Sequence, residues 1–264
     1  MPEPSIPAVR IADPPRSRMP TRKRAPVPRI AAILCRFALD PEYRSAALLR
    51  IRRPPNLFQP SNHTFSVRYP DLFQFAREYL GDGPERRLLS FGCSTGEEVF
   101  ALRRYFPKAA ITGIDINPRN IAACRSRLVR SPDSGIAFDA AGSTVKQPTA
   151  FYDAIFCLSV LRHSGLRAAD TGRCDHLIRF ADFERTVEDF ARCLKPGGLL
   201  VVANSNFRFC DTGISSDFTA VLREDHYGPD ARTPVFGRDD VLIPERFYDE
   251  IGFRKAAAAS ASPR

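Results

Sequence analysis

Two short segments of the sequence carry residue types suited to holding a nucleotide-like ligand. The first is residues 90–98, in which Gly92 and Gly96 permit a tight turn and close backbone approach just before a helix. The second is Asp115, which closes an apolar segment 19 residues after Gly96. A carboxylate at this place can accept hydrogen bonds from both ribose hydroxyls of an adenosine. The glycine pair alone also fits an ordinary strand-to-helix turn, but the acidic residue at this spacing favours an adenosine site.

Alternating strands and helices must position these two segments. Short apolar runs predict strands at 88–91, 110–116, 136–138, 152–159 and 199–203. Helices with one apolar face are predicted at 97–106, 117–128 and 183–194. This alternation predicts an α/β fold, a Rossmann-like doubly wound, mostly parallel sheet with helices on both faces, plus an N-terminal helical extension. A ligand crevice is then expected at the carboxyl ends of the strands.

The composition divides the chain into four predicted parts. They are a disordered leader rich in Pro and Arg at 1–29, a helical extension and linker at 30–70, the main domain at 71–255 and a disordered tail at 256–264. Within the extension, an apolar helix is predicted at 30–39, and Asp40-Pro41 is expected to begin a second helix that ends near Arg50.

The positive charge is concentrated near the N-terminus, because residues 1–53 hold 12 Lys and Arg against 4 acidic residues, or +8 of the total +9. This region could attract nucleic acid, an acidic protein or an anionic membrane surface, but a solvated tail is the favoured interpretation and nucleic acid is not favoured.

Seven scattered cysteines without a secretory signal predict a reducing, cytoplasmic location. No apolar run approaches the ~20 residues of a transmembrane helix. Cys174 and His176 alone fall short of a zinc site, so no metal is expected.

Four motifs together resemble the class I S-adenosylmethionine-dependent methyltransferases, and they occur in that family's order. The segments are 88–97 for the first motif, 111–118 for the second, 152–163 for the fourth strand and 194–200 for the turn into the fifth strand. The run 93–98 is also similar to the chemotaxis-receptor glutamate methyltransferases. The resemblance implies S-adenosyl-L-methionine as cofactor and transfer of its methyl group to an unidentified small-molecule or protein side-chain acceptor.

The resemblance also implies site residues by position. The residues expected to hold the cofactor are Gly92, Cys93, Ser94, Thr95, Gly96, Glu97, Asp115, Ile116, Asn117, Asp139, Leu158 and Ser159. Asp139 corresponds to the acid that receives the adenine amino group. His163, just past the fourth strand, is the candidate general base for a poorly nucleophilic acceptor.

Two positions depart from the family pattern. Ser90 stands where the family often has an acid that helps hold the methionine end of the cofactor, and Ser94 stands where it often has a glycine. Glu97 is expected to take over part of the missing acid's role.

The far edge of the sheet is less regular in the sequence. A strand is expected near 218–223, and a helix at 243–248 leads into 252–255, which resembles the family's sixth strand. A seventh strand is then expected to be absent or supplied from elsewhere. Substrate choice is expected to lie in 54–70, 164–182 and 207–243, with Asn204 and Asn206 as candidate contacts.

Two other functions remain open from the sequence. One is a methyltransferase-like binding module without turnover, which would use the basic leader to dock on nucleic acid. The other is a nicotinamide-dependent oxidoreductase of related fold, which is disfavoured because the turn at 92–96 lacks the GxGxxG spacing.

Overall fold

An eight-stranded mixed sheet organises the chain. The computed structural model describes residues 6–9, 29–59, 69–166, 171–224, 233–244 and 248–257. The strands are β1 Ala8–Val9, β2 Arg87–Phe91, β3 Ala110–Asp115, β4 Ile136–Ala140, β5 Tyr152–Leu158, β6 Leu194–Ala203, β7 Phe218–Glu224 and β8 Glu250–Lys255. The α-helices are α1 Arg29–Leu39, α2 Pro41–Arg52, α3 Pro70–Leu80, α4 Glu97–Tyr105, α5 Pro118–Arg130 and α6 Phe180–Cys193.

The strand order confirms the Rossmann-like prediction. The strands lie in the order β1-β7-β8-β6-β5-β2-β3-β4. Five consecutive strands, from β6 through β5, β2 and β3 to the edge strand β4, pair in parallel. One apolar core contains residues of α3, α4 and α5, and a second contains residues of α6 and lies against the other side of the sheet. The sheet is therefore covered by helices on both faces, which explains why all seven residues of β5 are buried.

The prediction of a missing seventh strand is wrong. Leaving out β1, β7 is the sixth strand of the domain, and β8 is the seventh, antiparallel to both β6 and β7. Phe253 is in register with Leu200 on one side and with Ala220 on the other. The segment assigned to the sixth strand is thus the seventh, because a short apolar run indicates a strand but not which neighbours it pairs with.

The N-terminal leader also contributes to the sheet. Ala8 and Val9 pair in parallel with Arg223 and Glu224, and Val9 is buried. The predicted disorder is therefore wrong at these two residues, because they gain a strand partner and an apolar neighbour. Residues 1–5 and 10–28, most of the predicted tail and positions 245–247 of the predicted helix lie outside the described part of the chain.

The helical extension forms as expected. The Asp40 side chain accepts hydrogen bonds from the backbone N–H groups of Glu42 at 3.0 Å and Tyr43 at 2.9 Å, which caps α2. Pro41 fills the first turn of that helix, and Pro70 does the same for α3. Among the described residues, no helix is both long and apolar enough to cross a membrane.

A buried carboxylate holds the amino-terminal side of the sheet together. Asp153 accepts hydrogen bonds from Lys195 Nζ at 2.7 Å, from the Arg87 backbone N–H at 2.9 Å and from Arg86 Nη1 at 3.0 Å. Burial alone would raise the pKa of Asp153, but these donors outweigh it and leave the pKa below its ordinary value. The ionised form is therefore favoured in the folded state.

We expect Asp153→Asn to lower the free energy of unfolding by about 2 kcal/mol at pH 7, because the replacement leaves buried donors without a charged acceptor. A carboxylate with a lowered folded pKa stabilises the protein above its unfolded pKa of about 3.9 and loses that effect as the pH falls through the folded pKa. Urea denaturation should therefore show the difference shrinking toward pH 3.

The control is Asp175→Asn, which removes a carboxylate whose ion pair with Arg173 is solvent-exposed and which should change stability little. Equal effects of the two substitutions at pH 7 would contradict the role given to Asp153.

Candidate functional site

The turn between β2 and α4 is tied to the neighbouring strand. The N–H groups of Gly92 and Cys93 both donate to the carbonyl of Ile114, at 2.8 and 3.0 Å. Gly92 has φ 72° and Gly96 has φ 90°, which other residues rarely adopt. A Cβ at Gly92 would lie 2.4 Å from Val160 Cγ2, so glycine is required there for packing as well as for conformation.

Asp115 brings the turn and the end of β3 together, as the sequence predicts. Its Oδ2 accepts a hydrogen bond from the Ser94 backbone N–H at 2.8 Å. Its Oδ1 accepts from the Asn117 N–H at 2.8 Å and from Asn120 Nδ2 at 2.9 Å. The sequence analysis did not identify Asn120. The only feature that points to it is its position, as an amide residue in the first turn of the helix that follows Asp115.

Two polar groups of this arrangement retain capacity for a ligand. A carboxylate has about four acceptor sites. Asp115 uses three of them on Ser94, Asn117 and Asn120, which leaves room for one hydroxyl donor rather than the two expected. The Ser94 hydroxyl is buried and has no hydrogen-bond partner among the described residues. A ribose carries hydroxyl groups that can both donate and accept, so these residues fit an adenosine.

The environment of Asp115 makes its charge sensitive to a ligand. Burial raises the pKa of Asp115, and the hydrogen bonds from Asn117, Ser94 and Asn120 only partly offset this effect. A ligand hydroxyl that donates to the carboxylate would favour the ionised form, because it stabilises charge where water is largely excluded.

The carboxylate nearest to Ser90 belongs to Glu98. Ser90 is fully buried, and its hydroxyl donates to Glu98 Oε1 at 2.8 Å. Glu97, the residue expected to replace the missing acid, is instead paired with Arg127 Nη1 at 2.8 Å, on α5. The structure thus places a carboxylate beside Ser90, and it comes from α4 and not from the strand. The sequence offered two adjacent glutamates and no signal to choose between them.

The remaining residues of the turn face in different directions. The Cys93 side chain is buried, and the neighbouring Cys124 thiol together with this burial raises the pKa of the Cys93 thiol. Thr95 lines a cavity of about 510 Å³ beside α5. The other lining residues are Glu42, Arg119, Asn120, Ala122, Ala123 and Ser126.

The residues that follow Asp115 link the site to its surroundings. Asn117 caps α5 by accepting from the Arg119 N–H at 3.1 Å, and its Nδ2 donates to Ser45 on α2 at 3.2 Å. Ile116 packs close to Gly142, where a Cβ would come within 2.9 Å of Ile116 Cδ1. The helical extension therefore reaches the edge of the candidate site.

Asp139 lies beside this site at the outer strand. It pairs in register with Ile114, one residue before Asp115, and its side chain is mostly exposed. Its Oδ1 accepts from the Ala140 N–H at 2.9 Å. Its position is compatible with the role at the adenine amino group that the sequence suggests.

A polar cluster lies at the carboxyl end of β5. Leu158 is buried, and Ser159 follows it with φ 62°. The Ser159 hydroxyl lies 3.0 Å from the Tyr69 hydroxyl and accepts a hydrogen bond from Asn204 Nδ2 at 2.7 Å. Tyr69 lies in the predicted substrate segment 54–70, but nothing local in the sequence predicts its contact with Ser159.

His163 is held by hydrogen bonds on its backbone and its ring. Its N–H donates to Asn206 Oδ1 at 2.7 Å, and its Nδ1 accepts from the Gly165 N–H at 3.0 Å. Burial lowers the pKa of His163, and the positive charges of Arg50 and His176 lower it further. The imidazole is thus neutral at pH 7, and the bond to Nδ1 places its proton on Nε2.

Asn204 and Asn206 have different environments. Asn204 belongs to the polar cluster, whereas Asn206 is fully buried and its Nδ2 donates to the Pro234 carbonyl at 2.7 Å. Asn206 therefore ties loops together. The Cys174 thiol is buried near Asp240, and no group of three or more His, Cys, Asp or Glu side chains within the described ranges could hold a metal ion.

The sheet order, the glycine turn and the acidic strand end are typical of a domain that binds an adenosine-containing cofactor. Comparisons with known proteins agree: residues 89–202 match the family described as the methyltransferase domain. The matched segment is 114 of the chain's 264 residues, and this part of the chain is thus similar to a methyltransferase domain. No curated protein matches the sequence.

Several solved structures are similar to part of the chain. The [4+2]-cyclase SpnF is 23% identical with a TM-score of 0.40, over 52% of this chain and 45% of that one. Geranyl diphosphate C-methyltransferase from Streptomyces coelicolor A3(2) is 17% identical with a TM-score of 0.37, over 50% and 43%. Phosphoethanolamine N-methyltransferase 2 from Haemonchus contortus is 16% identical with a TM-score of 0.38, over 62% and 34%. The matched part spans less than half the length of each of these three.

We expect Asp115→Ala to weaken binding of S-adenosylhomocysteine about 10- to 100-fold at pH 7, because it removes the acceptor for a ribose hydroxyl and the bond to Ser94 that orders the turn, a loss of about 1–3 kcal/mol. The wild-type affinity should also fall as the pH drops toward the raised pKa of Asp115, and the variant should lack this fall. Calorimetric titration between about pH 4.5 and 7 measures both effects.

Asp217→Ala removes an exposed carboxylate remote from the turn and serves as control. Unchanged affinity and an unchanged pH profile in the Asp115 variant would contradict an adenosine site at Asp115.

Proposed function

We propose that this protein transfers the methyl group of S-adenosylmethionine, by in-line displacement, to a nucleophile on a small molecule or a protein side chain. The observation that carries the proposal is the hydrogen bond between the Ser94 N–H and Asp115 Oδ2, 2.8 Å long. It joins the first two motifs of the family into one site with an unused acceptor position and a buried, unpaired hydroxyl.

The residues that would hold the cofactor follow from this site. Asp115 and the Ser94 hydroxyl would bind the ribose, Asp139 the adenine amino group, and Ile116 would pack against the base. The backbone of Gly92 to Gly96 would approach the cofactor closely, and Leu158 and Ser159 would face it from the end of β5. Glu98 would hold the positively charged amino group at the methionine end, because its carboxylate lies at buried Ser90, where the family often has an acid.

The bound cofactor supplies a methyl group that its sulfonium already activates. The chain has only to align a nucleophile and keep water out. Tyr69, Ser159 and Asn204 form a hydrogen-bonded cluster at the end of β5, and their hydroxyl and amide groups suit orientation of a polar acceptor.

His163 remains the candidate catalytic side chain, and its geometry supports a role as a hydrogen-bond donor. Since Nδ1 accepts from Gly165, neutral His163 carries its proton on Nε2 and is arranged to donate a hydrogen bond. This arrangement favours a hydrogen bond from Nε2–H to an oxygen or nitrogen of the methyl acceptor. It disfavours the role expected from the sequence, in which His163 takes a proton from that acceptor. For Nε2 to accept a proton from the methyl acceptor, the ring proton would have to move to Nδ1, and the hydrogen bond from Gly165 would first have to break.

Glu98→Gln should test the proposed orientation of the cofactor. The amide can still accept from Ser90 but lacks the charge, so affinity for S-adenosylhomocysteine should fall about tenfold. Affinity for methylthioadenosine, which has no amino-acid end, should not change. Calorimetry with both ligands makes the comparison.

Glu97→Gln is the matched control, because Glu97 pairs with Arg127 and both ligands should bind as before. Equal loss for both ligands in the Glu98 variant would indicate a damaged turn, and no loss for either would exclude contact with the amino group.

The activity itself is tested by formation of S-adenosylhomocysteine from S-adenosylmethionine with a panel of phenol, carboxylate, amine and thiol acceptors and a protein extract. We expect product with at least one acceptor class. Cofactor binding without product across the panel would favour the binding-module alternative, and calorimetric binding of NAD would favour the oxidoreductase.

In the same assay, His163→Ala should lower kcat about tenfold or more and leave cofactor affinity unchanged. His163→Gln, which retains an N–H at a similar reach, should recover part of the rate if His163 donates a hydrogen bond. An equally low kcat in both variants would instead support removal of a proton from the methyl acceptor by His163. Full activity of His163→Ala would show that His163 has no catalytic role.

A further inference from the structure

Exposed apolar side chains are concentrated in the hairpin formed by α1 and α2. The described residues include seven exposed large hydrophobic side chains, and four of them lie in this hairpin. They are Ile33, Leu34, Leu39 and Ile51, with exposed fractions of 52, 62, 82 and 74%. Isolated surface hydrophobics are ordinary, but a group of them on a short two-helix element marks a surface that meets an apolar partner. No residue of α2 is fully buried, so the hairpin is covered little by the rest of the domain.

The same hairpin is strongly basic. Residues 29–53 contain six arginines against Asp40 and Glu42, a net charge of +4. Asp40 is already engaged in capping α2 and lies 3.5 Å from Arg36. The preceding 28 residues add six more basic side chains against Glu3 and Asp13. The exposed apolar side chains therefore belong to a segment whose sequence carries a net positive charge.

We propose that the α1–α2 hairpin binds the surface of an anionic phospholipid membrane. The exposed apolar side chains would enter the boundary between headgroups and acyl chains, and the arginines would pair with lipid phosphates. With 11 residues, α1 is about 17 Å long, too short to span the ~30 Å hydrocarbon core, so it would lie in the plane of the interface. This inference is independent of the proposed methyl transfer.

Charge argues for lipid over the other occupants. A second copy of the chain would bring two surfaces of the same sign together, and the repulsion would oppose a symmetric dimer through this face. Nucleic acid would neutralise the arginines but would leave Ile33, Leu34 and Leu39 in water. An anionic bilayer satisfies both the charge and the apolar surface.

The test is flotation of the full chain with vesicles of phosphatidylcholine alone and with about one-third phosphatidylglycerol, at low and high salt. We expect binding only to the anionic vesicles and weaker binding at high salt. The double substitution Ile33→Ser and Leu34→Ser should weaken binding at least tenfold. The matched control, Val129→Ser and Val145→Ser, changes apolar residues outside the hairpin that are even more exposed, and it should bind like the wild type.

Circular dichroism and thermal unfolding verify that each variant is folded, as expected because none of these side chains is buried. The proposal is overturned by equal binding to neutral and anionic vesicles, by no binding to either, or by full binding of the Ile33 and Leu34 variant. A dimer in sedimentation that the same variant abolishes would assign the surface to a second copy instead.

Discussion

The buried carboxylate of Asp115 is the group on which the rest of the site depends. It receives donors from the glycine turn, from the residue after β3 and from the first turn of α5, so one side chain fixes three elements relative to each other. Burial opposes its charge, and only these hydrogen bonds make the charge tolerable. The turn conformation is therefore partly built before a ligand arrives, which reduces the entropy lost on binding.

Ser90 shows how a departure from the family pattern is accommodated. A buried hydroxyl needs a partner, and Glu98 supplies it from the first turn of α4. A carboxylate near a helix N-terminus is also stabilised by the helix dipole. A carboxyl group is thus present near the end of β2 even though the strand itself lacks an acid.

The central sheet and the glycine turn follow from the sequence because their signals are local. Apolar runs, Gly92, Gly96 and the cap at Asn117 each depend on neighbours within a few residues. The contacts of Tyr69 with Ser159 and of Asn120 with Asp115 depend on the folded arrangement instead. The same holds for the choice between Glu97 and Glu98, which is decided by Arg127 on another helix. The position of β8 in the sheet was predicted wrongly for a related reason, since strand order is a property of the whole sheet.

The two-residue strand β1 has a consequence for the outer boundary of the sheet. Pro7, Ala8 and Val9 pair with the otherwise open side of β7, where the Arg223 N–H donates to the Pro7 carbonyl at 2.8 Å. Unpaired strand edges are templates for intermolecular β-pairing. Proteolytic trimming of the first nine residues would uncover such an edge, so aggregation of the trimmed protein need not signal any defect in its core.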